Sequence, residues 1–227
     1  MPLTLKGSNN QPFEFDPFRS DAIVDSLPVA LPAIKFVRCA NGSTHFGQSS
    51  LDYTIRKARL EDRDAIQELI AASARGLSQT DYSNQQIESA ISDVFGVDTS
   101  LIADGTYFVA EHDRELVACG GWSKRKTLFG GDQFATRDTT ELDPQSEPAK
   151  IRAFFVHPQW ARKGLAQAIL SRCETEARAA GFRAVELMAT LPGVKFYAAC
   201  GYEESEQFDY EMASGGTLPL VPMAKEL

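Results

Sequence analysis

The sequence has little of what marks a metalloprotein, a membrane protein or a secreted protein. Its four cysteines, Cys39, Cys119, Cys173 and Cys200, are far apart and form no CxxC pair, so we expect no zinc site. No apolar run approaches the length of a membrane span, so we expect no membrane partner. The N-terminus lacks a cationic segment followed by a continuous apolar stretch. We therefore expect no signal peptide, and a cytoplasmic protein.

Positive charge is also in short supply. The chain carries 23 Lys and Arg against 31 Asp and Glu, a net charge of -8. Nucleic acids and anionic lipids are polyanions, so an acidic chain is a poor partner for either, and no basic recognition helix appears. We expect no nucleic-acid partner. A local basic pocket for a phosphorylated cofactor remains compatible with this balance.

The chain divides into two regions of different character. Residues 1–52 contain scattered prolines and turn signals, which indicate an extended arm rather than a domain. An ordered tail without function is the alternative. Regular apolar patterns follow over 53–227 and predict one domain. The arm could reach a neighbouring subunit, so a homodimer is an arrangement that we keep open.

Apolar periodicity predicts the element order β-α-α-β-β-β-α-β-α-β-β. This order is typical of an α/β fold in which helices flank a mixed sheet. The strongest predicted helix is Leu165–Ala180. It follows a strand at Ile151–Val156 and precedes one at Ala184–Met188, so the three should form a parallel βαβ unit. Ser83 with Gln86 is a capping box that predicts the start of the second helix.

The junction between the strand Ile151–Val156 and the next helix carries the clearest chemical signal. A helix N-terminus exposes N–H groups without intrahelical partners, and the helix dipole adds positive charge, so a pyrophosphate is favoured there. Gly164 has no Cβ, which lets phosphate oxygens approach the backbone, and Arg162 and Lys163 add charge. On spacing alone, a plain strand-to-helix turn is the alternative. The GxGxxG and GKS or GKT motifs of other phosphate-binding folds are absent.

The same segment resembles a known family. The sequence FFVHPQWARKGLAQAIL, from Phe154 to Leu170, is similar to the acetyl-CoA motif of the GNAT acyltransferases, whose core is (Q or R)-x-x-G-x-(G or A). The later FYAACGY, from Phe196 to Tyr202, resembles that family's FYxxxGF signature. The resemblance covers about Tyr53–Leu227. It implies the GNAT fold, acetyl-CoA as co-substrate, and direct attack of an amine on its thioester.

The resemblance also implies how acetyl-CoA is held. Backbone N–H groups of the strand end would pair with the pantetheine arm and stabilise the developing oxyanion. Three positions depart from the family: Ala161 replaces the usual Gln or Arg, Thr190 replaces an Asn that often contacts the pantetheine arm, and Arg152 stands where some members carry a glutamate base. The predicted cofactor-binding residues are Phe154, Phe155, Val156, Ala161, Arg162, Lys163, Gly164, Leu165, Ala166, Gln167, Thr190 and Phe196.

Two catalytic residues are predicted. The resemblance makes Tyr197, the tyrosine of FY, the acid for the leaving thiolate, with core packing as the alternative. His157 is a candidate base because the intrinsic pKa of imidazole suits proton abstraction. A structural His-Pro turn is the alternative for this residue. Water-mediated deprotonation also stays open, as does a base among the acidic residues Asp132, Asp138, Glu141 and Glu147.

The acceptor amine is expected between one strand and a long polar connection. The connection, 124–149, is unusually long for a compact domain, which predicts a lid. Asp132 within it is a candidate substrate-binding residue, with a solvated loop carboxylate as the alternative. On an alternating strand Arg152 would share a face with Phe154 and Val156 and could pair with a substrate carboxylate. Pairing with a neighbouring acid is the alternative.

Aromatic residues supply the remaining candidates for the acceptor site. Trp122, with Tyr107 and Phe129, would wall this site, unless these side chains belong to the core. The predicted function is an N-acetyltransferase acting on a small amine. A protein or peptide N-acetyltransferase and a non-catalytic acyl-CoA-binding sensor are the alternatives. A covering lid favours a small acceptor, whereas an open groove would favour a peptide.

Overall fold

The computed structural model describes residues 52–134 and 137–227. The predicted N-terminal arm, with Cys39, lies outside the described residues except for Asp52. Within the described ranges the chain forms an eight-stranded mixed sheet with helices on its faces. The predicted α/β class is therefore confirmed.

The strands and helices follow the predicted order, with small additions. The strands are β1 (Thr54–Lys57), β2 (Tyr107–His112), β3 (Glu115–Ser123), β4 (Ala149–Val156), β5 (Ala184–Thr190), β6 (Glu203–Glu204), β7 (Phe208–Glu211) and β8 (Thr217–Glu226). The helices are α1 (Arg63–Leu77), α2 (Asn84–Asp93), α3 (Thr99–Ala103), α4 (Leu165–Ala179) and α5 (Leu191–Ala199). Short 3₁₀ helices occupy Leu60–Asp62 and Pro158–Trp160. The additions are α3 and β6, which are too short for periodicity to reveal.

The sheet runs β1-β2-β3-β4-β5-β8-β6, and β7 also pairs with β8. Only the pair β4–β5 is parallel among the strands described, and α4 connects its two members. The predicted parallel βαβ unit is therefore confirmed. The capping box of α2 is also present, since Ser83 Oγ accepts the Gln86 N–H and the Gln86 side chain accepts the Ser83 N–H.

The strands β4 and β5 separate soon after they meet. They pair only at Ala149 with Val185 and at Lys150 with Glu186. The side chains of Lys150 and Glu186 form a buried ion pair where the two strands meet. Beyond it the sheet opens, and the edge of β4 that faces β5 has no strand partner within the described chain. Backbone N–H and C=O groups on such an edge are free to bind a ligand.

A β-bulge interrupts β4 at the opening. Ala153 has a left-handed φ of 56°, and the register with β3 shifts between Arg152 and Phe155. Two residues, Ala153 and Phe154, therefore stand opposite Gly120. A bulge adds one residue and so reverses the alternation of side chains beyond it.

The bulge overturns one prediction about Arg152. Phe154 and Val156 pack on the sheet face that carries α4, whereas Phe155 packs on the face that carries α1 and α2. Arg152 bonds to Asp98 and to the backbone of Gly130, on the α1 and α2 side. The prediction that it shares a face with Phe154 and Val156 is therefore wrong, because that prediction assumed uninterrupted alternation.

The two sheet faces each bury an apolar core. Trp122 is 5% exposed in the core beneath α4 and packs edge-to-face on Phe182, with ring centroids 6.0 Å apart. Tyr107 is fully buried in the opposite core. The prediction that Trp122 and Tyr107 wall the acceptor site is thus replaced by its alternative, core packing. Cys119 and Cys173 are buried free thiols, and burial raises the pKa of Cys119 to about 12.

Candidate functional site

One cavity of about 940 Å³ occupies the opening between β4 and β5. The start of α4, the start of α5, the end of α1, the loop after α2 and the β3–β4 connection complete its walls. The ionisable groups on its described wall are few. They are Asp81, Arg152, Arg162, Lys195 and Tyr197, so Asp81 is the only carboxylic acid among them.

The predicted phosphate-binding site lies at the start of α4. Gly164 is the N-cap, with a left-handed φ of 83° and no side-chain cap on the helix. A Cβ at Gly164 would meet no protein atom within 4 Å, so the space in front of the helix is open. Leu165, Ala166 and Gln167 follow it on the cavity wall. Their N–H groups are those that a helix leaves without partners, so the site suits a phosphate.

The turn before α4 brings further cationic and aromatic groups. Ala161 and Arg162 line the cavity, and Arg162 adopts a left-handed φ of 62°. Lys163 lies off the cavity wall, where its Nζ sits 4.5 Å from the ring centroid of Trp160. Trp160 itself lines the cavity, as does Lys195 from α5. Neither residue is among the predicted site residues, although Lys195 directly precedes the FY signature.

The backbone of β4 offers fewer free N–H groups than predicted. Phe154, Phe155 and Val156 all line the cavity. The Val156 N–H, however, already donates to Ser73 Oγ at 3.2 Å. The Val156 N–H is therefore already engaged and is not free for the oxyanion and pantetheine contacts predicted for this segment.

Tyr197 on α5 faces the cavity from the side of Phe154. It is 8% exposed, and its ring packs edge-to-face on the rings of Phe154, Phe196 and Tyr202, at 6.3, 5.0 and 5.6 Å between centroids. These contacts fix the direction of the phenol. Its hydroxyl forms no hydrogen bond with any described residue. Burial raises the pKa of Tyr197 well above its usual range, so the hydroxyl stays protonated at neutral pH.

A buried tyrosine holds the start of α5 in place. The Tyr82 hydroxyl accepts the Leu191 N–H at 2.8 Å and donates to the Pro219 carbonyl at 2.6 Å. Burial raises the pKa of Tyr82 to about 12, which keeps it a donor. Thr190, the residue before α5, and Phe196 on α5 both line the cavity as predicted cofactor-binding residues. No pattern in the sequence pointed to Tyr82.

His157 is not brought to the cavity wall. Its Nδ1 accepts the Gln159 N–H at 3.3 Å and caps the short 3₁₀ helix that follows β4. The His157 N–H donates to the Val117 carbonyl at 2.9 Å. This placement favours the structural turn over the predicted role as base.

Asp132 and the other acidic residues of the β3–β4 connection are engaged in local contacts. Asp132 accepts the Thr99 N–H and hydroxyl, each at 3.0 Å, and pairs with Arg137 at 3.1 Å. Glu141 pairs with Lys124 at 2.6 Å. None of the acidic residues in the described part of this connection lines the cavity. The predicted contact between Asp132 and the substrate is not supported by this geometry.

Part of the β3–β4 connection, which is the predicted lid, forms one wall of the cavity. Leu128 to Gly131 line the cavity wall. The Gly131 N–H donates to the Val94 carbonyl at 2.9 Å, and the Asp132 N–H donates to the Val97 carbonyl at 2.8 Å. A Cβ on Gly131 would lie 2.7 Å from the Gly96 Cα, so the backbones of these two segments are in direct contact.

Arg152 and Asp98 form a buried brace under this connection. Arg152 Nη1 lies 2.5 Å from an Asp98 carboxylate oxygen, and Nη2 donates to the Gly130 carbonyl at 2.6 Å. Asp98 is fully buried and also pairs with Arg137. Burial lowers the pKa of Arg152 to about 10 against the opposing effect of Asp98. Arg152 thus pairs with a neighbouring acid, which was the alternative to substrate binding. No sequence pattern pointed to Asp98 as this acid.

Comparison with known proteins agrees with this geometry. The Acetyltransferase (GNAT) family model matches residues 64–202, more than half of the chain. No curated protein sequence matches the chain. In the described ranges, no cluster of His, Cys, Asp or Glu could hold a metal ion, and no helix is long and apolar enough to cross a bilayer.

Solved structures give the same fold at low identity. A GCN5-related N-acetyltransferase from Rhodopseudomonas palustris has a TM-score of 0.59 at 19% identity, over 81% of this chain and 100% of that one. The PaiA N-acetyltransferase from Thermoplasma acidophilum, in complex with coenzyme A, has a TM-score of 0.53 at 15% identity, over 78% and 99%. YncA, a putative acetyltransferase from Salmonella typhimurium with acetyl-CoA, has a TM-score of 0.51 at 18% identity, over 78% and 94%.

Proposed function

This chain belongs to the Acetyltransferase (GNAT) family, and we propose that it transfers the acetyl group of acetyl-CoA to the primary amine of a small molecule. One observation carries the proposal: a single cavity joins the open N-terminus of α4, the unpaired edge of β4 and the Tyr197 hydroxyl. Two of the similar solved structures hold coenzyme A or acetyl-CoA, which supports the same ligand here.

The cavity walls suit the parts of acetyl-CoA in turn. The N–H groups of Leu165, Ala166 and Gln167 lie at the start of α4, where a Cβ on Gly164 would meet no atom within 4 Å, so a pyrophosphate is favoured there. Arg162 and Lys195 on the cavity wall add cationic charge. The open edge of β4 offers backbone partners for the amides of the pantetheine arm.

When bound, acetyl-CoA supplies an activated thioester. The amine nitrogen bonds to the acetyl carbon as the carbon–sulfur bond breaks, and the amine proton passes to solvent. Tyr197, which lines the cavity beside Phe154, would donate a hydrogen bond to the thioester sulfur. Its pKa is raised by burial, above that of a thiol, so stabilising the thiolate by a hydrogen bond is favoured over completing a proton transfer.

A small acceptor is favoured over a peptide by the way the β3–β4 connection is held against the cavity. The wall from Leu128 to Gly131 is fastened through backbone hydrogen bonds to the loop after α2 and through Arg152 to Asp98. A peptide would need an open groove at this point. Protein N-acetylation would require this segment to move away.

The first experiment is a thiol-release assay on the full chain with acetyl-CoA and a broad amine panel. The panel holds amino acids, polyamines, aminoglycosides, arylalkylamines and lysine peptides, and mass spectrometry identifies the product. Turnover of a small amine supports the proposal, and preference for a lysine peptide contradicts it. Acetyl-CoA binding without turnover on any amine would identify the alternative, a non-catalytic sensor.

A further inference from the structure

The cavity has a second half on the sheet face that carries α1 and α2. Its wall is made by apolar side chains from five separate elements, which all belong to the core of that face. We call them the apolar chamber: Phe95, Phe129, Phe155, Met188 and Leu220. Phe95 packs edge-to-face on Phe155 with centroids 5.7 Å apart, and Phe129 is held by Tyr210 at 5.3 Å. These contacts fix the rings around the space.

The chamber presents uncovered apolar surface. Phe129, Phe155 and Met188 are only half-buried, although each packs against the core of that face. Apolar surface removed from water contributes about 25 cal/mol per Å². A ligand with a hydrophobic body would therefore gain free energy in the chamber that a polar body would not.

The charged groups next to the chamber are already neutralised. Arg152, with a side chain only 3% exposed, is paired with Asp98, and Arg137 is paired with both Asp98 and Asp132. Two arginines and two aspartates leave no net charge. A substrate carboxylate that replaced Asp98 would break a buried ion pair, and removing one partner of such a pair is costly.

The chamber also favours the form of the amine that reacts. An ammonium group loses hydration beside apolar walls, which lowers its pKa and favours the neutral nucleophile. Among the described residues on the cavity wall, the only acid is the exposed Asp81, in the loop after α1. Proton loss to solvent, helped by desolvation, therefore needs no dedicated buried base.

Resting on the proposed acetyl transfer, we propose that the acceptor is a primary amine on an uncharged hydrophobic body, aromatic or branched aliphatic, and not an amino acid or a polyamine. The apolar chamber holds the body, and the neutral amine points toward the opening between β4 and β5.

The test compares amines that differ in one feature, using the full chain and acetyl-CoA. 2-Phenylethylamine is set against phenylalanine, which adds a carboxylate, against ethylamine, which lacks the ring, and against spermidine. Rates are expressed per concentration of neutral amine. We expect kcat/KM for 2-phenylethylamine to exceed each of the others at least tenfold. A higher kcat/KM for phenylalanine or spermidine would overturn the inference.

Variants locate the effect in the chamber. Phe129→Ala is expected to raise KM for 2-phenylethylamine at least fivefold and to leave the Kd of acetyl-CoA unchanged. Tyr53→Ala is the matched control, since Tyr53 is a half-buried aromatic packed on the opposite core, away from the cavity. An equal change of KM in both variants would refute a specific role for the chamber.

A separate measurement keeps the two proposals distinguishable. If no amine is acetylated, the proposed function fails, and equilibrium dialysis of 2-phenylethylamine with coenzyme A present decides the inference alone. Binding that weakens in Phe129→Ala and persists in Tyr53→Ala would support the chamber. An absence of binding to the native protein would overturn it.

Discussion

The Tyr197→Phe substitution isolates one hydroxyl in the proposed mechanism. Tyr197 is 8% exposed, and three aromatic rings fix its direction. Phenylalanine keeps the ring and all of these contacts. Since the hydroxyl bonds to no described residue, its removal should change the free energy of unfolding by less than about 0.5 kcal/mol.

The expected effect on catalysis is much larger. A hydrogen bond to a charged group is worth about 1.5–3 kcal/mol. If the hydroxyl stabilises the departing thiolate, its loss should lower kcat by about 10- to 100-fold, because each 1.36 kcal/mol is tenfold. The Kd of acetyl-CoA should stay the same, since the bond is made to a charge that develops only during the reaction.

Tyr202→Phe is the matched control. Tyr202 touches the Tyr197 ring, but its hydroxyl donates to Glu174 at 3.0 Å and it does not line the cavity. This variant should lose about 1 kcal/mol of stability and keep its kcat. The assays are thiol release at saturating acetyl-CoA, calorimetric titration of acetyl-CoA and urea unfolding. A kcat for Tyr197→Phe within twofold of the native value would refute the assignment.

Three further predictions concern the phosphate site at Gly164, the Arg152–Asp98 ion pair and the Asp62 carboxylate. Gly164→Ala should raise the Kd of acetyl-CoA at least tenfold, because its Cβ would fill the space for the phosphates. The control is Gly215→Ala, at a glycine that also has a left-handed φ and open space around it, and this variant should share only the stability cost of about 1 kcal/mol. Equal Kd values for the two variants in calorimetry would argue against a phosphate site at Gly164. Arg152→Met should lower the free energy of unfolding in urea by about 3–5 kcal/mol, because it leaves Asp98 buried beside a single arginine; a loss below about 1 kcal/mol would contradict the brace. Asp62→Asn should destabilise the protein at pH 6, because it removes the ion pair with Arg56, which holds the pKa of Asp62 below its ordinary value of 3.8. The destabilisation should shrink progressively below pH 3.8, since the contribution of the carboxylate is lost as pH falls through the lowered pKa. A difference in unfolding free energy, measured in urea, that stayed constant across this range would refute the pairing.

The cofactor half of the cavity could be predicted from sequence because it depends on local patterns. The helix over Leu165–Ala180 was predicted within one residue of α4, and the glycine at its start has the left-handed φ that favours glycine. Short-range spacing fixes a strand, a turn and a helix start along one continuous segment. Leu165, Ala166 and Gln167, which the resemblance to the GNAT motif predicts as cofactor-binding residues, line the cavity.

The acceptor half could not be predicted because it depends on contacts between distant segments. Arg152 meets Asp98 and Gly130, which precede it by 54 and 22 residues. The bulge at Ala153 has no marker in the sequence, since alanine rarely adopts a left-handed φ. Assuming regular alternation therefore turned Arg152 toward the wrong face and suggested a carboxylate-binding site.

The bulge links the fold to the proposed chemistry. Regular alternation at this point would place Arg152 on the face of Phe154, whereas the bulge places it on the face of Phe155. With Ala153 inserted, Phe154 turns toward Tyr197 while Phe155 turns toward Phe95. One strand thereby lines both halves of the cavity: the half where the thiol would leave and the half where the amine would enter. In the proposed reaction the attacking nitrogen and the departing sulfur would both be bonded to the acetyl carbon, so a strand that lines both halves of the cavity could contact the amine and the thioester at once.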